Sequence, residues 1–169
     1  TQTSGNNNTF LGRRSGYNNT TADNNTAVGY QSLLSNTTGS ENTAVGANAL
    51  DANTTGIRNT GVGHGAMTKV TTGGNNTGVG RAVMDDLTTG SENTAIGSTT
   101  SVSAGKSNST AIGYGATVSE NNTIQLGNTS VTDVKTSGKI TAAGAEFTKA
   151  ATNSVAYNAG SSTTIDFSQ

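Results

Sequence analysis

An all-β solenoid of stacked parallel coils is the fold this sequence predicts, and three observations predict it. The chain repeats itself every 17 residues, each repeat is too short and too rich in Gly for a helix, and the composition cannot fill an ordinary core. Asn8-Thr9-Phe10-Leu11-Gly12 returns as Asn25-Thr26-Ala27-Val28-Gly29 and as Asn42-Thr43-Ala44-Val45-Gly46. It returns again as Asn59-Thr60-Gly61-Val62-Gly63, Asn76-Thr77-Gly78-Val79-Gly80 and Asn93-Thr94-Ala95-Ile96-Gly97. A seventh copy starts after 16 residues at Ser109, and an altered eighth starts near Asn122. Self-similarity at a short fixed period is the mark of a solenoid.

Each element of the coil follows from the residues within one unit. The Asn-Thr-(Ala/Gly)-(Val/Ile) segment alternates with the period of a strand and ends at Gly in position 5, which predicts a strand and a corner. An apolar residue at position 9 (Leu33, Leu50, Met67, Met84) predicts a short second strand. Thr-Thr-Gly at 37–39, 54–56, 71–73 and 88–90 then predicts a second corner, with Gly supplying a positive φ. Stacked at the strand spacing of about 4.8 Å, the coils form a rod of roughly 40 Å. Position 4 (Leu11, Val28, Val45, Val62, Val79, Ile96, Ile112) is expected to form one interior column, faced by position 9. Asn at position 1 is expected to stack on Asn and to bond the corner backbone. Ala or Gly at position 3 implies close approach of another chain segment.

The composition excludes several classes. More than half of the 169 residues are Gly, Asn, Ser or Thr, and hydrophobic residues reach only 30%. Roughly 45–50% is usual for a globular domain when Gly is included. Aromatics at 4% leave no large core, which argues against a conventional enzyme. There is no Pro and no Gly-X-Y period, so the chain is not collagen. With no Cys, disulfide scaffolds and thiolate metal sites are excluded. Apolar runs of two to four residues are far short of the ~20 needed to cross a bilayer, so no membrane insertion is expected. A net charge of −1 leaves no electrostatic footprint for nucleic acid.

Residues 1–127 therefore read as the repeat array and 128–169 as a β-rich connector. Ser130–Val134, Ser154–Tyr157 and Thr163–Phe167 read as strands, and 142–151 as a helical turn or two. The missing initiator Met and the strand-like run ending at Gln169 suggest a piece of a longer protein. Two core side chains per coil are few against the ordering of 17 residues, which predicts that chains associate side by side.

No catalytic constellation emerges, and neither cofactor nor metal is expected. The single His, His64, occupies position 6, which otherwise holds Arg13, Tyr30, Ala47, Arg81, Ser98 and Tyr114, as an exposed variable site would. Gly-x-Gly patterns such as Gly61-Val62-Gly63 are corners with no helix to receive a phosphate. Asp51 and Asp85-Asp86 lack the Gly-Gly-x-Gly-x-Asp loop of calcium-binding β-rolls. Asp85 and Asp86 would diverge if they lay in a strand. Arg58 is expected beside Glu41 on the neighbouring coil. Positions 6 and 7 carry Arg13, Arg14, Tyr30, Gln31, His64 and Arg81, a candidate glycan-contact surface of aromatic, guanidinium and amide groups.

Asn108-Ser109-Thr110-Ala111-Ile112-Gly113-Tyr114-Gly115-Ala116 and its relatives resemble the head repeat of YadA-type trimeric adhesins, which reads roughly Asn-Ser-Val-Ala-Ile-Gly. The 17-residue form with Thr-Thr-Gly more closely resembles repeats of bacteriophage tail fibres. The stretch Gln125-Leu126-Gly127-Asn128-Thr129 with Val134 to Ile140 resembles the exit from such repeats. The resemblance covers 8–127 and, more faintly, 128–144. It implies a left-handed β-roll, three chains around one axis, and a tail-fibre shaft on the virion that takes part in host attachment. The implied partners are two further copies, other tail proteins, and a host-surface glycan or outer-membrane receptor. Thr at position 2, where the adhesin motif has Val, implies a more polar interior. The alternative is the head of a bacterial cell-surface autotransporter adhesin, and a third reading is an ice-binding solenoid suggested by the Thr-rich ladders. The Thr-Thr pairs lie at corners, which argues against that third reading.

Overall fold

The computed structural model describes residues 5–132 together with 134, 135 and 137. Every regular element among them is a strand: β1 (Thr9–Leu11), β2 (Thr26–Val28), β3 (Thr43–Val45), β4 (Thr60–Val62), β5 (Thr77–Val79), β6 (Thr94–Ile96), β7 (Ser101–Val102), β8 (Thr110–Ile112), β9 (Thr117–Val118) and β10 (Ile124–Leu126). One parallel sheet runs β1-β2-β3-β4-β5-β6-β8-β10, and β7 pairs with β9 in a second, two-stranded sheet. Equivalent residues lie opposite one another, as Thr26 does Thr43 and Val28 does Val45. The chain is thus a β-solenoid with one coil per repeat. The eighth coil enters one residue later than the motif suggested. Ile124 lies opposite Thr110, so Thr123 rather than Asn122 takes position 1.

The strand turns its Ala/Gly side inward. Ala27, Ala44, Ala95 and Ala111 are fully buried. The position-4 residues expected as an interior column lie on the opposite face. Leu11, Val79, Ile96 and Ile112 are exposed, and Val28, Val45 and Val62 are half-buried. Alternation sends positions 3 and 4 to opposite sides. The interior of so narrow a coil is already filled by Leu33, Leu50, Met67 and Met84 from the other wall, all fully buried. Only a methyl or a hydrogen fits against them: a Cβ on Gly78 would come within 2.9 Å of the Met67 sulfur. The first coil reverses the arrangement. Phe10 stands at position 3 and Gly16 at position 9, where a Cβ would strike the Phe10 ring at 2.5 Å.

The second half of each unit is not a strand in the first five coils. Residues 30–35, 47–52 and 64–69 are turns. Leu33, Leu50, Met67 and Met84 are left-handed at φ of 50 to 60°, as are Gln31, Asn48, Gly65 and Ala82 two residues earlier, at 49 to 63°. Extended backbone is incompatible with alternate residues in that region. Each such non-Gly residue costs about 1–2 kcal/mol, offset by the interior side chain it delivers. Only in the shortened later coils does this side straighten into β7 and β9, with Val102 and Val118 buried.

The corners also differ from expectation. Position-5 Gly has φ of 132 to 143° from Gly12 to Gly97, which only Gly adopts readily. The Gly of Thr-Thr-Gly does not supply a positive φ; it permits close approach. A Cβ on Gly39 would lie 2.3 Å from the Gly56 carbonyl oxygen of the next coil.

Buried Asn side chains tie the coils together. The Asn42 N–H donates to Asn25 Oδ1 at 2.9 Å, while Asn42 Nδ2 donates to the Gly56 carbonyl at 2.8 Å. Asn59 repeats both bonds, to Asn42 Oδ1 and the Gly73 carbonyl. A second ladder at position 12 has Asn36 Nδ2 donating to Asn19 Oδ1 and Asn53 Nδ2 donating to Asn36 Oδ1. It ends where Val70 and Leu87 take over, leaving the buried Asn53 Oδ1 without a donor.

One compact unit spans Thr1–Val134 and a second spans Lys135–Gln169. The strand expected over Ser130–Val134 is absent from its described residues. The Asn128 side chain instead accepts the Ser130 N–H at 2.9 Å, closing a turn. The strands expected over 154–157 and 163–167, and the helical turn over 142–151, lie outside the described residues.

Candidate functional site

Two surfaces present organised chemistry. The first is the outer face of the eight-stranded sheet. Thr26, Thr43, Thr60, Thr77, Thr94 and Thr110 form a half-buried row beside the aliphatic row of position 4. Thr at position 2 therefore faces outward and does not make the interior polar, as the sequence had suggested. The interior owes its polarity to the Asn ladders. At β10 the Thr row also turns apolar: Ile124 is 71% exposed beside Leu126 at 44%.

The second surface is the edge formed by positions 6 and 7. Arg13, Arg14, Tyr30, His64 and Arg81 are exposed there, and Gln31 is half-buried. Adjacent coils bring the Arg13 guanidinium over the Tyr30 ring at 5.8 Å from its centroid. Arg14 lies 5.9 Å from the centroid of Tyr17, a position-10 residue that the sequence reading did not include. The left-handed turn between positions 7 and 10 brings these two together. Their three-residue spacing was the available signal. His64 and Arg81 occupy the same edge, separated from Tyr30 by the coil of Ala47.

Acidic residues gather elsewhere. The Arg58 Nε lies 2.9 Å from Glu41 Oε2 on the neighbouring coil, as expected, and both side chains are at least half exposed. The hydrogen bond from Arg58, with its charge, holds the Glu41 carboxyl below its ordinary value. Asp85 and Asp86 do not diverge, because they lie in a turn; Lys69 Nζ is 3.7 Å from a carboxylate oxygen of each. The Thr68 hydroxyl donates to Asp85 Oδ1. Burial pushes the Asp51 carboxyl up, opposed by two backbone amides and reinforced by the negative charge of Asp85. Among the described residues no group of three or more His, Cys, Asp or Glu side chains gathers. A cleft of about 390 Å³ near β10, lined by Gly115, Thr117, Gln125, Gly127, Asn128 and Thr129, carries no titratable side chain.

No family model matches the chain, and no curated protein matches it. The fold and these two surfaces define a β-solenoid repeat protein, a class compatible with structural, adhesive or ice-binding roles.

Proposed function

We propose that this chain is a structural and attachment segment, the shaft of a trimeric bacteriophage tail fibre, without enzymatic activity. Three copies pack on their Thr/aliphatic sheet faces, and the position-6 edge remains outward toward a host surface. One observation carries the reading. The outer face of the parallel sheet is bare along all eight strands and holds an aliphatic side chain at position 4 on each. Parallel sheets are almost always covered on both faces. A second copy presents the same in-register rows, so its strands supply a cover of matching period. The repeat resemblance supplies the number three.

The mass of the native particle tests it. A value near three times 16.8 kDa is expected. The double variant Val45→Asp/Val62→Asp, whose side chains point out of the coil, should release monomers that keep their β spectrum. A wild-type monomer would overturn the assembly.

The same face favours a second reading. The position-2 Thr hydroxyls, expected in the interior and found on the outer face, have no hydrogen-bond partner among the described residues and repeat at the coil spacing. They form a regular array toward ordered water or ice. Thermal hysteresis from a monomer would favour this reading over the fibre shaft.

A further inference from the structure

The position-6 edge is ordered at its backbone and varied in its side chains. The carbonyls of Tyr30, Ala47, His64 and Arg81 each accept the position-7 N–H of the next coil, at 2.8 to 3.0 Å. Successive side chains therefore rise about 4.8 Å apart. Tyr30 and His64 stand two coils apart, roughly 10 Å, above the small side chain of Ala47. The order Arg13, Tyr30, Ala47, His64, Arg81 makes a notch with a ring on each wall and a guanidinium beyond each wall.

Charge is segregated around it. No carboxylate occupies position 6 or 7 in any of the first seven coils, although the chain as a whole carries −1. The acids of those coils sit at positions 10–12 (Asp51, Asp85, Asp86, Glu120) and 16–17 (Asp23, Glu41, Glu92). Of those nearest along the turns, Asp85 is held by Lys69 and Thr68. The ion pairs among the described residues are Arg58 with Glu41 and Lys69 with Asp85 and Asp86, so neither Arg13 nor Arg81 is neutralised by a carboxylate. Arg13 is instead laid over Tyr30, which orients its guanidinium along the edge.

We infer that this notch is a subsite for an acidic polysaccharide. One sugar ring lies on Ala47 between Tyr30 and His64, its C–H faces against the two rings. Carboxylates of that ring and its neighbours pair with Arg13 and Arg81 in the geometry that a guanidinium favours. The inference rests on the attachment reading and is independent of the number of chains in the particle.

Binding of a fluorescent galacturonate hexamer to the full chain, followed by anisotropy, tests the subsite, with maltohexaose as the neutral control. The acidic hexamer should bind and the neutral one should not. Ala47→Gln, which fills the notch and leaves every charge in place, should weaken binding on the order of tenfold. Arg81→Ala should do the same through loss of a charge-assisted contact, while Arg58→Ala, at position 17, should leave binding unchanged. Absence of hexamer binding, equal binding of maltohexaose, or wild-type affinity in Ala47→Gln would each overturn the subsite. Particle mass is read on the same samples. A trimer that does not bind sinks the subsite alone, and a monomer that binds sinks the assembly alone.

Discussion

The strand side and the turn side of each coil are held to different standards. On the strand side, position 3 is Ala or Gly in every coil from the second to the seventh, and position 5 is Gly in all of the first seven. On the turn side, position 6 changes from Arg13 to Tyr30, Ala47, His64, Arg81, Ser98 and Tyr114. Both sides are bonded coil to coil with equal regularity, so hydrogen bonding is not what separates them. Space is. The strand's inner face meets Leu50 or Met67 across a narrow interior, whereas the position-6 side chain meets solvent. Variation between a chain's own repeats thus maps where atoms are in contact, and it marks the turn edge as the place where chemistry can be chosen freely.

Substitutions can break this contrast, beginning inside. Leu50→Ala should destabilise the protein by about 2–5 kcal/mol in denaturant unfolding, because truncating a fully buried side chain leaves a cavity in the interior column. Gly46→Ala, a single added methyl, should rival it, since φ is +136° and the new Cβ would meet the Gly63 carbonyl oxygen at 2.3 Å. A change of under about 1 kcal/mol would show that the corner can shift, and would remove the strand side's claim to tighter packing.

The polar interior sharpens the comparison further. Asn36→Ala removes donors from Asn19 Oδ1 and the Gly39 carbonyl and leaves Asn53 Nδ2 without one acceptor. A loss of about 2–4 kcal/mol is expected, from more than one buried group left unpaired. Asn53→Ala should cost less, because its Oδ1 already lacks a partner. Thermal melts of the two variants give the order directly.

On the turn side the effects should be small. Arg81→Ala is expected within about 0.5 kcal/mol of the parent, as for surface changes generally. Asp51 should appear only through pH. Its carboxyl titrates above the ordinary 3.8 because burial disfavours its charge, so the folded state binds the proton more tightly than the unfolded state. Stability from this group is greatest below pH 3.8 and falls as pH rises through the raised value. Asp51→Asn should flatten that part of the pH–stability curve; an unchanged curve would mean that the carboxyl is solvated in solution.

Much of the architecture was legible in the residues. The period gave the coils, their parallel order and their register, because a repeat that stacks on itself must place like on like. Asn at position 1 was legible as a ladder and Leu or Met at position 9 as an interior column, since both recur at the coil spacing. The second Asn ladder was visible in the spacing of Asn19, Asn36 and Asn53, yet its end at Val70 obscured it. The Arg and Tyr residues of the candidate surface were legible as an exposed edge. Tyr17 was not, because its three-residue spacing from Arg14 brings the two together only through the left-handed turn, which the pattern of apolar residues does not show.

Local pattern alone determined that the chain coils, how often, and which positions alternate. It could not choose between the two faces of a strand that carries Ala on one side and Val on the other. Only the closed coil decided that. The wall opposite delivers Leu33, Leu50, Met67 and Met84 through left-handed backbone, and the remaining space admits only Ala or Gly. The more hydrophobic residue is therefore turned outward, where shape, not hydrophobicity, places the Val and Ile row on the surface of the single chain.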